Sequence, residues 1–177
     1  ALRGNVKNII KTLDSRGILQ SIASKNDYAK AMQKLEEFDL HPYFLYPEIN
    51  WSSKAVSVKN IAEALNIGLD TIAFIDDQPF ERDEVHFSWP QVLCLDDSNL
   101  DAVLDMPEMN PRFMTADSGM RRQMYLNDMA RNRDEAQFEG PKEAFLASLD
   151  MVLTIFSAKE DDLKRAEELS VRTNQLN

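Results

Sequence analysis

Two adjacent carboxylates, Asp76 and Asp77, follow four uninterrupted apolar residues in the stretch IAFIDDQPFERDEV, residues 72–85. Such a run reads as a buried strand, so the pair stands at the rim of an apolar interior. Two like charges there repel each other unless a cation or strong donors hold them. A hard divalent ion such as Mg2+ takes one or two carboxylates together with waters and a phosphate, which makes Asp76 and Asp77 candidate metal ligands. They could instead cap the segment that opens at Pro79, but a cap uses one carboxylate and the second favours the ion.

Ser24 closes another short apolar run, and the backbone N–H groups of Lys25, Asn26 and Asp27 then lead into a helix. A hydroxyl and N–H groups so placed can cradle an anion, although a serine at a strand end is also an ordinary turn residue. Lys54 falls in the first turn of a helix that Ser52 or Ser53 would cap. The positive end of the macrodipole disfavours a cation there unless an anion sits on the same terminus; a plain surface lysine is the alternative. Asn50 and Trp51, just upstream, join Asn26 as candidate substrate contacts. Cys94 reads as a small buried hydrophobe, and His41 and His86 lack ligand spacing.

These residues need elements to hold them. Val6, Ile9, Ile10 and Leu13 keep helical spacing from Asn5 to Arg16, with Gly17 placed to end the helix. Short strands are predicted at 18–24 and 44–46. A helix capped by Asp27 carries Met32, Leu35 and Phe38, and another carries Val58, Ile61, Ala62 and Leu65 up to Gly68. Residues 71–75 form a buried strand, residues 92–95 another, and a helix follows near 99–105. Strand and helix alternate through about the first hundred residues, which predicts an α/β fold, a Rossmann-like parallel sheet with helices on both faces. Ligands bind such sheets beyond the carboxyl ends of the strands, so Ser24 and the Asp pair share an edge.

Two prolines in DMPEMNPRF mark a boundary. The expected division is a core at 1–112, a helical region at 113–150 and a further strand and helix at 151–177. In the middle region Met120, Met124, Tyr125 and Met129 fall loosely on one helix side and read as core; MVLTIF, 151–156, reads as a strand. A formal charge of -10 and a pI near 4.7 argue against a sequence-independent nucleic-acid binder, which needs clustered Lys and Arg. No apolar run approaches the roughly 20 residues that span a bilayer, and the start lacks a signal-peptide pattern. The protein is expected to be cytoplasmic and not membrane-bound. A single cysteine excludes an internal disulfide and a CxxC pair.

Ser24, Lys54 and the doublet Asp76–Asp77, in that order, resemble the second, third and fourth motifs of the haloacid dehalogenase (HAD) superfamily. The phrases RGILQSIASKND, INWSSKAVSVKNIAEALNIGLDTIAFIDDQPFERDEV, PRFMT, RRQMY and EELSVRTNQLN resemble its FkbH-like branch. That resemblance implies a HAD-like Rossmannoid sheet and a Mg2+-dependent phosphatase and glyceryl transferase. Such an enzyme takes a three-carbon unit from 1,3-bisphosphoglycerate and loads glyceryl, or lactyl in some relatives, onto an acyl carrier protein for polyketide assembly. It implies that Ser24 hydrogen-bonds the phosphoryl group and Lys54 neutralises it. Asp76 would bind the metal, and Asp77 would hold a metal-bound water or a neighbouring donor. Residues 151–177 resemble the opening of an acetyltransferase-like domain.

Family members also carry a DxDxT segment ahead of the second motif, holding the nucleophile and the central strand between those of Ser24 and the Asp pair. Nothing before Ser24 supplies it. The chain is therefore expected to be a fragment, inactive by itself, with two strand edges left unpaired. Arg121, Arg122, Arg131 and Arg133 are the candidate face for an acidic carrier protein, a solvated helix face being the alternative. A generalist HAD phosphatase and a non-catalytic docking module are the competing functions.

Overall fold

The computed structural model describes residues 4–112 and 114–172. Phe113 of PRFMT and the end of the tail phrase, 173–177, lie outside the described residues. The chain divides into two compact units after Pro111.

The first unit opens with α1 (Val6–Ser15), which buries Ile9, Ile10 and Leu13 as their spacing requires. Gly17 takes φ 75, and the Ile18 N–H returns to the Leu13 carbonyl at 3.0 Å, closing the helix with a left-handed glycine. β1 is short, Ala23–Ser24. Asp27 caps α2 (Tyr28–Glu37) by accepting the Lys30 N–H at 2.9 Å. The strand expected at 44–46 is displaced. Phe44 makes one parallel bridge with Gln20, then Tyr46 turns to φ 47, and the ladder resumes as β2 (Glu48–Ile49). A left-handed aromatic residue cannot continue a strand, and this moves the pairing past Pro47.

Ser53 caps α3 (Lys54–Leu65) through the Val56 N–H, and Asn66 ends it at φ 52. Asn66, not Gly68, is thus the stop, since an asparagine tolerates the left-handed region. β3 (Ala73–Asp76) leads into α4 (Pro79–Ser88), and β4 (Leu93–Asp96) into a 3-10 helix over Asp97–Asp105 rather than an α-helix.

The fold is α/β with parallel pairing, but not one continuous sheet. β1 pairs only with β2, Ala23 opposite Glu48, and β3 only with β4, from Ala73 opposite Leu93 to Asp76 opposite Asp96. Among the described residues no ladder joins β1 to β3. Alternation along β3 feeds two cores. Phe74 packs with Ala55, Val58, Val85 and Val92, whereas Ala73 and Ile75 pack toward Ile9, Leu13, Val103 and Met109. Helices therefore cover both faces of the β3–β4 pair. Cys94 is half-buried against the first core, and that burial pushes its thiol pKa up.

The second unit is helical: α5 (Ala116–Gly119), α6 (Arg121–Gln137), α7 (Lys142–Ser148) and α8 (Leu163–Arg172). Of the four residues expected in a core, Met120 and Met124 are exposed and Tyr125 and Met129 only half-buried, and α6 fully buries no residue. Charged residues interleave around α6, so its methionines never gather into a stripe wide enough to bury. MVLTIF forms no strand; Val152, Leu153 and Ile155 are 85–86% exposed. A strand needs a neighbour for its N–H and C=O groups, and no edge among the described residues pairs with this one.

Glu168 on α8 is fully buried and links α8 to α5 and to the start of α6. Its Oε2 accepts from Thr115 Oγ1 at 3.0 Å and from Arg165 Nη1 at 2.8 Å. Its Oε1 accepts from Ser118 Oγ at 3.3 Å and faces Arg121 Nη2 at 3.6 Å.

Candidate functional site

Three segments meet at the carboxyl ends of β1 and β3, and Lys54 is the residue that joins them. It is the first residue of α3 and only 8% exposed. Its ammonium donates to the Ala23 carbonyl at 2.5 Å and to Asp76 Oδ2 at 3.2 Å, and lies 5.9 Å from the centre of the Phe74 ring. A buried cation at a helix N-terminus is unfavourable alone. The carboxylate and the carbonyl supply the negative partners. One side chain thus spans the seam between the two strand pairs.

Asp76 serves two ends. Oδ2 faces Lys54, while Oδ1 accepts the Gln78 N–H at 2.9 Å and closes the turn ahead of α4. The N-cap of α4 is Gln78 and no side chain caps the helix, so Asp76 does not fill the expected capping role. Asp77 is exposed and has no protein partner among the described residues. Ser24 is half-buried; its carbonyl accepts the Asn50 N–H at 3.0 Å, and its hydroxyl bonds to no described residue.

Asn26, Asn50 and Trp51 lie on the loops leaving β1 and β2, and no hydrogen bond ties them to Lys54 or Asp76. Asn26 Oδ1 accepts the Asp27 N–H. Asn50 is committed locally, donating to Glu48 Oε2 at 2.9 Å and accepting the Ser52 N–H at 2.8 Å. Trp51 is 77% exposed.

Among the described residues no group of three or more His, Cys, Asp or Glu side chains converges on a point. The donors here are two adjacent carboxylates, one already holding an ammonium and an N–H and the other open. That set suits a hard ion that keeps most of its waters and takes further oxygens from a ligand, as Mg2+ does, and not a closed tetrahedral site.

Three further residues, Lys25, Glu81 and Arg82, build this edge without a distinctive signal in the sequence alone. Lys25 donates to both oxygens of Glu81, at 2.7 and 3.1 Å. Arg82 donates to the Asp76 carbonyl at 2.7 Å through Nη1 and meets Asp96 Oδ2 at 2.6 Å through Nη2. Their local signal was ordinary: an acid in a helix first turn complements the dipole, and flanking cations read as solvated surface.

Hydrogen bonds from the Ser98 hydroxyl and N–H, with help from the Arg82 charge, hold the Asp96 pKa below its usual range. A depressed carboxylate stabilises the fold above its unfolded pKa of about 3.9, and that contribution fades as pH falls through the folded value. Asp96→Asn is accordingly expected to shrink the acid-induced loss of stability between pH 5 and pH 3, read from urea midpoints across that range.

No protein-family model matches the chain, and no curated protein does. A solved structure does match: the N-terminal part of the protein BF1531 from Bacteroides fragilis, described as containing a phosphatase domain complexed with Mg. Identity is 30%, the match covers 72% of this chain and 32% of that one, and the TM-score is 0.42. This chain thus spans about a third of that solved chain's length. No helix among the described residues is long and apolar enough to cross a membrane.

Proposed function

We propose that this chain carries the phosphate-handling half of a Mg2+-dependent HAD-type phosphatase, of the FkbH-like branch. Its proposed reaction moves a glyceryl unit from 1,3-bisphosphoglycerate to the thiol of an acyl carrier protein, with release of phosphate. The observation that carries the proposal is the Lys54 ammonium lying between the Ala23 carbonyl and Asp76 Oδ2. It ties the residue before Ser24 and the first aspartate of the doublet to one ammonium, which supports reading Ser24, Lys54 and the Asp pair as one site.

In that role Ser24 donates its hydroxyl to a phosphoryl oxygen. Lys54 offsets the charge on the transferring group from a site with little water, where a fixed cation acts most strongly. Asp76 and Asp77 would hold Mg2+, which when bound neutralises charge on phosphoryl oxygens. Asp76, pinned by Lys54 and the Gln78 N–H, presents a fixed ligand. The nucleophilic aspartate is assigned by resemblance to a strand lying between β1 and β3, where the ladder is open. Carrier docking is assigned to α6 through Arg121, Arg122, Arg131 and Arg133, of which Arg121 also faces Glu168 and Arg131 pairs with Asp128.

The test incubates the full-length protein with Mg2+, 1,3-bisphosphoglycerate and a carrier protein, measuring released phosphate and the intact mass of the carrier. Phosphate release with a glyceryl mass gain is expected. Release from many small phosphoesters with no carrier adduct would make this a generalist phosphatase. Neither product would leave a docking module.

A further inference from the structure

The two strand pairs share no backbone ladder, yet the proposed chemistry needs Ser24, on one pair, at a fixed distance from Asp76 and Asp77, on the other. Side chains must set that distance. Lys54 is one link. Apolar packing of Ala23 on the Phe74 core is a second, and a further polar link lies at the mouth of the seam, where Lys25, the residue directly after Ser24, reaches across to Glu81 in the first turn of α4.

We infer that Lys25 and Glu81 are positioning residues, a clasp that fixes the Ser24 strand end against the Asp76–Asp77 strand end. Glu81 is 7% exposed, and the Lys25 ammonium contacts both of its oxygens, so the carboxylate is held at both ends. Its neighbour Arg82 grips the other side, donating to the Asp76 carbonyl and pairing with Asp96 across the ends of β3 and β4. Two consecutive α4 residues therefore reach in opposite directions, one to each strand pair. The hydrogen bond to Glu81 raises the Lys25 pKa, so the ammonium stays charged throughout the neutral range. Only the catalytic consequence of this clasp rests on the phosphatase assignment; its mechanical role does not.

The test compares wild type with Glu81→Gln, Lys25→Met and Lys25→Arg. Backbone hydrogen exchange is followed at residues 23–27 and 76–80, with the α1 amides as internal control. Phosphate release is measured in the full-length protein. Removing the charge pair is expected to speed exchange at 23–27 about tenfold, with α1 unchanged, because a local contact gates local opening. Lys25→Arg should restore most of the protection. In the enzyme, Glu81→Gln should lower kcat about tenfold or more with little change in KM, the mark of misplaced rather than missing groups.

Exchange at 23–27 that is identical in Glu81→Gln and wild type overturns the clasp. So does an equal loss of protection in Lys25→Arg and Lys25→Met. A kcat unmoved by Glu81→Gln in an active enzyme overturns the positioning role. Wild-type protein that releases no phosphate, with the exchange pattern as expected, removes the phosphatase assignment while the clasp stands. Should Glu81→Gln fail to fold, the comparison of Lys25→Met with Lys25→Arg, on an exposed loop, still decides the matter.

Discussion

On the proposed phosphatase reading, full-length protein carrying Lys54→Met is expected to release phosphate at least about a thousandfold more slowly than wild type. The loss should fall on kcat, because the ammonium matters most to charge that grows as the phosphoryl group transfers. The same change strips Asp76 Oδ2 and the Ala23 carbonyl of their shared donor in a spot where both paired side chains are only 10–11% exposed. Stability should drop by about 3 kcal/mol, since breaking a buried pair strands the remaining charge. Lys54→Arg is not expected to rescue turnover: a planar guanidinium cannot enter a slot sized for one compact ammonium between a carbonyl and a carboxylate. Steady-state phosphate release and urea unfolding check the two parts separately. A Lys54→Met enzyme within tenfold of wild type would remove the lysine from the chemistry.

The second large effect lies away from the site. Glu168→Ala is expected to destabilise the second unit by about 3–5 kcal/mol, because two hydroxyl donors and two guanidinium groups lose a fully buried acceptor together. Glu168→Gln keeps an oxygen for Thr115 or Ser118 but no charge for Arg165 and Arg121, and should cost roughly half as much. Hydrogen exchange at the amides of 163–170 reads the result. Unchanged protection in the alanine variant would mean that the apolar contacts of α8 suffice.

The contrast between these two sites shows what a single sequence exposes. Lys54 and Asp76 were legible because each violated a local expectation: a cation at the positive end of a helix, and paired acids at the end of an apolar strand. The α1 boundaries and the starts of α2 and α3 were legible because caps and helical spacing are short-range, whereas the α3 stop fell at Asn66 and not at Gly68. Lys25, Glu81 and Arg82 break no local rule and gain meaning only from contacts made across the fold, in the case of Lys25 and Glu81 between residues 56 positions apart. β2 slipped past its expected place because one backbone angle at Tyr46 ended the run, which composition does not encode. MVLTIF has the residues of a strand, but strand formation depends on a partner edge that lies outside its own sequence.

That bare stretch has a practical consequence. Proteases favour exposed backbone without regular secondary structure, and residues 151–156 offer it along with Met, Leu and Phe side chains. Yet a nick there frees no fragment directly, because the α8 side of the cut stays tethered through Glu168 to Thr115, Ser118 and Arg121 on the other. A clipped sample would travel as one particle through gel filtration and show its two pieces only in denaturant, so apparent intactness on a native column is no warrant that the polypeptide is whole.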